Sequence, residues 1–437
     1  MRMSLLSAML CVSITLACAD ANEKQLPVSD QATAQKAAPA VPIPQYVPAI
    51  LREPPAADLA AQDQRFDAAA RAAWAQVERG YSPTTGLVAA LPTWAYPTTW
   101  DIASALASFY SARGLGYITD QNYNERVSKA LATLKRARLY EGIAYGRNYD
   151  VNTGELVGPN QKPHQNGTGY SAIDVGRLLV WLNIIAKRDP ELAPAAEAVA
   201  RRVNAARTLQ NGYMRGEEID AKTGKPVSYQ EGRIGYEQYS AAGFALWGMK
   251  ANAALNWKAN SRPGTVLGIP IAVDKRGLDR LTSEPIVLQG LELGWEAPDQ
   301  ELAWQTLSAQ ATRFLKSGQM TIASEDAINR PPHYFYYYCV YCSGREFVIN
   351  VHSPGVTLDQ PRWVSTKAAF AWHALLPTKY TWQAVEAVQP ALDTKQGWAS
   401  GVFEQSHQST ETFSLNTAAV ILEAALYRKT GRPLIQG

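Results

Sequence analysis

Three stretches of this chain repeat one design, and the repetition limits the possible folds more than any other feature. Residues 213–250 read YMRGEEIDAKTGKPVSYQEGRIGYEQYSAAGFALWGMK. A polar hairpin turns at Thr223-Gly224, a short segment runs through Glu231 and Arg233, and a helix opens on Tyr236-Glu237. That helix is apolar on nearly every side, so protein must surround it. An acid in its first turn, favoured there by the helix dipole, then stands where buried structure meets an opening. Residues 145–180 repeat the pattern with Thr153-Gly154 and Asp174, and residues 81–110 repeat it with Thr85-Gly86 and Asp101. The acids fall in register as Trp100-Asp101, Ile173-Asp174 and Tyr236-Glu237. Roughly 63 to 73 residues separate them, longer than most solenoid periods, so each unit reads as a helix pair with a decorated loop.

The rest of the chain alternates in the same way. Stretches near 57–79, 121–138, 191–208, 299–316 and 380–389 are amphipathic, whereas those after Asp101, Asp174 and Glu237, and near 365–376 and 413–428, are apolar all round. Outer helices keep one wet face and inner helices keep none. The expected fold is therefore all-α, an α/α toroid of about five to six helical hairpins with β-hairpin loop excursions. A linear helical solenoid would have shorter, more uniform units. The excursions are 257–298, read as short strands and loops, and 326–358, read as a hairpin around Ser343-Gly344. Loops of this kind commonly carry function.

Three segments make up the expected organisation. Residues 1–21 have the form of an export signal, with Arg2, an apolar run and small residues at a cleavage site. Leu16-Ala17-Cys18 approximates a lipobox, with Thr15 in place of the usual leucine, which makes Cys18 a candidate lipid anchor. Residues 22–55, rich in Ala and Pro, read as a disordered linker, and 56–437 as a single carbohydrate-active domain. The location expected is periplasmic or secreted, with a membrane-anchored lipoprotein as the variant. In an oxidising compartment Cys339 and Cys342 are expected to form a disulfide, which on a regular strand needs a local turn. His333 and His352 beside them fit no zinc spacing, so no metal is expected. The formal charge of +3 decides little and no basic run marks a nucleic-acid surface, so no nucleic-acid partner is expected, and nucleotide, phosphate-loop and nucleophilic-serine motifs are absent. No cofactor is expected.

In a toroid the inner helices start at one end of the cavity. Asp101, Asp174 and Glu237 would converge there, joined by Trp363 and Lys367 ahead of one helix and Trp398, Glu404 and Asn416 around another. Carboxylates beside aromatic rings suit sugars, whose ring faces stack and whose hydroxyls hydrogen-bond. Hydrolysis of a glycosidic bond needs one protonated carboxyl and one carboxylate. Glu237 and Asp101 are the expected acid and base in either order, Asp174 an auxiliary, and Glu231, Glu284 and Glu325 are rivals. Trp100, Arg233, Tyr236 and Tyr239 complete the expected sugar-binding set. Each acid taken alone is also an ordinary helix-start residue, Arg233 also reads as an ion-pair partner of Glu231, and His373 reads as core.

The blocks TGLV…PTTWDIASALAS, SAIDVGRLL, EGRIGYEQYSAAGFALWG, PIAVD…LTSEPIVLQGLELGW, STKAAFAWHALLP and GWASGVFEQ…NTAAVILEAALYRKTG resemble a bacterial domain-of-unknown-function family over about residues 57–435. Its members are often encoded beside exopolysaccharide synthases and are similar to glycoamylase-type and β-1,2-glucanase-type α/α toroids. The resemblance implies an exported, carbohydrate-active domain with a polysaccharide or oligosaccharide partner and possible association with an exopolysaccharide synthase or export complex. It names no substrate. Three readings stay open: a glycoside hydrolase, a non-catalytic polysaccharide-binding accessory protein, and a polysaccharide lyase using Tyr239 or a histidine as base.

Overall fold

A computed structural model describes residues 42–437 apart from 221, 277–278, 331–332 and 352–355. The expected signal, Cys18, most of the linker and His352 lie outside the described residues.

Among the described residues six inner helices close into a ring: α2 (Thr99–Leu115), α4 (Ala172–Arg188), α6 (Tyr236–Ala245), α7 (Glu284–Leu288), α9 (Thr366–Leu375) and α11 (Leu415–Thr430). Each packs against the next in that order, and α11 returns to α2. Outside them lie α1 (Leu59–Gly80), α3 (Asp120–Arg136), α5 (Ala193–Ala200), α8 (Ala297–Ser317) and α10 (Lys379–Ala387). The sequence explains the layers. From Ile102 to Ala112 every residue of α2 is buried, whereas α3 buries Tyr123, Val127, Ala130, Leu131 and Leu134 at helical spacing and leaves the other side wet. Starts are fixed by side-chain caps: Thr98 and Asp101 form a reciprocal capping box on α2, Ser171 caps α4, and Ser414 caps α11.

Helices α4 and α6 approach unusually closely, because a Cβ on Gly243 would lie 2.0 Å from the Gly176 carbonyl oxygen. No side chain fits between them, and this brings the start of α4 beside the 231–235 loop.

The fold departs from an all-α protein. Strands β1 (Tyr213–Ile219) and β2 (Pro226–Gln230) form the hairpin expected at Gly224, which has φ 67°. Between α6 and α7, two short helical turns and the hairpin β3 (Ser261–Val266) to β4 (Ile269–Asp274) replace an outer helix. After α8, strands β5 (Glu325–Arg330), β6 (His333–Cys342), β7 (Arg345–Asn350) and β8 (Thr357–Leu358) make an antiparallel sheet in the order β8-β7-β6-β5. The expected Ser343-Gly344 hairpin is its centre.

Two other expectations are corrected. TSEPIVLQGLEL is an inner helix, the fourth of the six, rather than strand and loop, beginning at Glu284 and continuing as a π-helical turn from Gln289 to Leu293. Its brevity, Pro285 and Gly290 hid the helical period. The linker's last residues are not loose either: Val47, Ile50 and Leu51 are buried, and the Glu53 carbonyl accepts the Lys379 backbone N–H. Among the described residues no helix is long and apolar enough to cross a membrane.

Candidate active site

The ring has a closed floor. Arg177 of α4 is wholly buried at its centre, 3.2 Å from Glu423 and 3.5 Å from Glu292, both equally buried. The Trp181 indole N–H and the Tyr239 hydroxyl also donate to Glu292, and the π turn of α7 is what carries Glu292 inward. Burial pushes the Glu423 carboxyl well above the usual range. Tyr239 therefore belongs to this floor and meets no sugar, contrary to its expected role.

Above the floor sits a tightly bonded layer. Glu284 accepts from Asn416 Nδ2 (2.5 Å), Lys367 Nζ (2.8 Å) and the Tyr236 hydroxyl (3.2 Å). Asn416 is itself oriented by Arg177 (2.8 Å), Ser104 (3.2 Å) and the Trp100 indole N–H (3.3 Å). Lys367 also lies 3.4 Å from Asp326, which accepts from the Trp363 indole N–H at 2.8 Å. With all these partners Glu284 is a holding group, and Trp363, fully buried, supports Asp326 instead of offering a stacking face.

The outermost layer faces the opening at the helix N-termini. Asp101 is partly exposed, but its Oδ2 accepts both the Thr98 N–H (2.9 Å) and the Thr98 hydroxyl (2.8 Å). Burial raises its pKa, against the pull of those bonds and of Arg177 and Lys367. Asp174, also partly exposed, accepts from the Ser171 hydroxyl at 2.9 Å. Burial first, then the like charge of Glu231, push it up to about 7, with Arg147 opposing. Glu231 caps α4 by accepting the Ala172 N–H at 2.5 Å. Arg147, bonded to the Tyr229 hydroxyl, lies behind the pair. Across the mouth Glu325 is 3.4 Å from Arg233, and burial pushes its carboxyl up to about 7 even with that cation beside it. Arg233 lies over the Tyr236 ring at 4.3 Å and the Tyr337 ring at 5.0 Å.

Of the residues expected from sequence, Trp100, Asp101, Asp174, Glu231, Arg233, Tyr236, Lys367 and Asn416 are thus brought to one end of the ring. Others are not. Glu237 is fully buried and turned away, 2.6 Å from Arg276 and bonded to Gln230 at 3.0 Å. A Cβ on Gly232 would sit 2.4 Å from its carboxyl carbon, so the glycine is what lets the chain pass. Trp398 is core, packed on Phe370 with its N–H on the Ala69 carbonyl. Glu404 makes a two-pronged pair with Arg313 (2.8 Å and 2.8 Å) and accepts from Tyr338. Cys339 and Cys342 are free, buried thiols, so the expected disulfide is absent. Both lie on the β6 strand, and their thiols are nonetheless close enough to interact with each other in one small buried cluster with Tyr337 and Val348. His373 is core as expected, bonded to Thr381 and Gln62.

Asp326, Arg147, Tyr229 and Tyr337 were not anticipated. Asp326 follows Glu325 directly, and Tyr337 is set by strand alternation, but Arg147 and Tyr229 reach the site only through the fold of their loops.

The fold has known counterparts. The chain is similar to an endo-β-1,2-glucanase from Chitinophaga pinensis, seen with sophorotriose and glucose, at 12% identity and a TM-score of 0.60 over 85% of this chain and 93% of that one. It is similar to a glucoamylase-like protein from Bacteroides caccae at 14% identity and 0.61, over 86% and 97%. An endo-β-1,2-glucanase from Talaromyces funiculosus, in complex with sophorose, matches at 10% identity and 0.55, over 84% and 85%. At these identities the likeness is one of fold, the α/α toroid of glycoside hydrolases. No curated protein sequence matches. A family model, Protein of unknown function (DUF3131), matches residues 68–431.

Proposed function

The chain belongs to the DUF3131 family, and on that premise we propose that it is an exported glycoside hydrolase of a glucan or bacterial exopolysaccharide, with Asp174 and Glu231 as its catalytic carboxyl pair. One observation carries the reading. Two neighbouring carboxyls stand at the open end of a closed-bottomed ring, and burial keeps one of them protonated near neutrality. Such a pair separates acid from base by environment, as glycosidic cleavage requires.

In this reading Asp174 holds the proton. The Ser171 hydroxyl donates to one of its oxygens, and its own O–H is directed to the glycosidic oxygen. Glu231 is positioned by the Ala172 N–H and serves the second half of the reaction, at water or at the anomeric carbon. Trp100 offers a ring face at the mouth, and Arg233 with Glu325 offers charged groups to hydroxyls on the far wall. The names of the structural neighbours make β-1,2-linked glucans the first polymers to try.

The test is release of reducing ends from soluble glucans. Asp174→Asn and Glu231→Gln should each lower kcat by about 10²- to 10⁴-fold, the usual worth of a general acid or base, while both proteins stay folded. Undiminished release by both variants would remove the pair from catalysis. Saturable binding without new reducing ends would favour the accessory-protein reading, and an ultraviolet-absorbing unsaturated product the lyase reading.

A further inference from the structure

We propose that the outer layer of the toroid carries a second, non-catalytic saccharide site: a cleft at the end of α3 whose guanidinium groups hold an acidic sugar residue. The hydrolase reading supplies the saccharide. The acid is read from the cleft itself, and none of its lining residues belongs to the carboxylate cluster.

The cleft has a volume of about 500 Å³, within the usual range for a ligand site. Arg136 ends α3, Arg138 follows it, and Arg202 reaches in from the segment after α5. Glu141, Gln165 and Asn166 share the lining, with Ala137 and Leu139 as its apolar part.

Charge decides what such a cleft attracts. Among the described residues none of the three guanidiniums makes an ion pair. Arg202 donates to the Leu134 carbonyl, and to the Ala137 carbonyl at 2.7 Å. The bare carbonyls that end α3 are thus turned to a cation, which offsets the negative end of the helix. Arg136 donates to the Thr133 hydroxyl at 3.0 Å, and the exposed Arg138 side chain has no partner among the described residues. Glu141 is the one carboxylate in the lining, and it accepts from Asn166 at 3.5 Å. Three cations against one carboxylate make this cleft a local concentration of positive charge in a chain whose formal net charge is only +3. A guanidinium with open N–H groups takes a carboxylate with two parallel hydrogen bonds.

The frame is already fixed. Residues 139–140 pair with 144–145, the Ile143 N–H donates to the Tyr140 carbonyl at 2.7 Å, and the Asn204 N–H to the Ile143 carbonyl at 2.8 Å. The Tyr149 hydroxyl holds the Arg138 carbonyl at 2.9 Å. Backbone held in this way loses little freedom when a ligand arrives. Among the described residues no aromatic ring lines the cleft, so nothing stacks on a nucleobase, and Ala137 with Leu139 offers too little apolar surface for an acyl chain or an amphipathic helix. Guanidiniums beside the carboxamides of Gln165 and Asn166 suit a carboxylate beside hydroxyls, which is a uronic acid. The cleft also shares a packed frame with the carboxyl pair. Leu139 lines it, the ring of the adjoining Tyr140 meets Tyr170 at 5.5 Å, and Ser171, next in the chain, caps α4 and bonds Asp174.

The experiment is calorimetric titration of the full chain with a galacturonic acid hexasaccharide, and with a β-1,2-linked glucose hexasaccharide as the uncharged probe, at low and high salt. The uronate should bind, and more weakly as salt rises. Arg138→Glu should weaken it by about tenfold or more, and Arg138→Lys, which keeps the charge without the fork, should fall between. Lys316→Glu makes the same charge change at an exposed position near the end of α8 and should leave uronate affinity unchanged. Uronate binding unmoved by Arg138→Glu, or lowered equally by Lys316→Glu, would overturn the cleft. Phosphatidylglycerol vesicles bound through Arg138, with no binding of the uronate, would overturn the saccharide as occupant. Cleavage of a neutral glucan by a chain that binds no uronate would remove the cleft and leave hydrolysis standing. Arg138-dependent uronate binding by a chain that cleaves neither neutral nor acidic polymers would uphold the cleft and remove the hydrolase.

Discussion

Replacing Asp174 by Asn should remove activity and raise stability in the same molecule, and the second effect has a distinct dependence on pH. Burial and Glu231 lift the Asp174 carboxyl from 3.8 to about 7 in the folded chain. The folded state therefore binds this proton more tightly than the unfolded chain does. Stability is lost as pH rises from about 4 to about 7, where the folded carboxyl finally ionises. A rise of about three pH units corresponds to at most about 4 kcal/mol. Because the group is partly exposed, solvent screening roughly halves this, leaving about 2 kcal/mol. Asn keeps the acceptor for the Ser171 hydroxyl and has no charge to desolvate. With an unfolding entropy of about 2 cal/mol/K per residue, the gain amounts to about 2 °C in Tm for a chain of this length. Thermal unfolding of wild type and Asp174→Asn, followed across pH 4 to 8, should give curves that coincide at the acid end and separate as pH rises. An offset that does not change with pH, or an Asn variant less stable at pH 8, would refute the burial argument and with it the assignment of the proton to Asp174.

Other residues give sharper structural outcomes. Glu237→Gln leaves Arg276 with only Asp274 and should cost about 3 kcal/mol or more by denaturant unfolding, with the activity of the folded fraction retained within a few-fold; complete loss of turnover in a stable protein would restore Glu237 as a catalytic group. Gly232→Ala drives a methyl into the Glu237 carboxyl, so the 231–233 loop must shift and kcat should fall with Glu231 displaced; an unaffected kcat would mean that this loop tolerates movement. Arg177→Met leaves the buried Glu292 and Glu423 side chains without their shared cation and should destabilise by about 3–5 kcal/mol, read in urea at pH 7. His373, pushed down to about 3 by burial and Arg428, stays neutral in the fold, while the unfolded chain binds a proton below about 6.5. Stability should therefore fall as pH drops from about 6.5 towards 3, and His373→Gln should flatten that part of the profile.

Much of the architecture was legible in the sequence because the inner and outer layers differ in period. A stretch such as LLVWLNIIA has no polar side, and residues 121–138 have one. The fourth inner helix was not legible, since α7 is five residues long before its π turn and carries Pro285. The gathering of Asp101 and Asp174 followed from repeat register, whereas Glu231, a rival outside that register, reaches the site through the loop ahead of α6. Register does not fix which way a side chain turns, and Glu237 shows the limit. It sits at the expected position in the first turn of α6, yet Arg276, on the excursion that follows β4, pulls it away from the mouth, while Tyr236 beside it takes the inward direction. Trp398 and Glu404 failed for a related reason: both precede α11 in sequence, but beside the antiparallel pairing of β9 (Trp363–Ser365) with β10 (Gly401–Phe403) one turns into the core and the other onto Arg313. The cysteine pair is close in space as the spacing suggests, but its thiols are free rather than bonded.

The central claim is that a glycosidic bond is broken between the carboxyls at the start of α4. A crystal structure of the Asp174→Asn variant soaked with a β-1,2-linked oligosaccharide tests it most directly. The account predicts a bridging oxygen within about 3 Å of the substituted side-chain amide, hydrogen-bonding distance for a proton donor, with Glu231 close to the same sugar. A sugar chain lying elsewhere on the protein, with neither position in reach of any glycosidic oxygen, would contradict it.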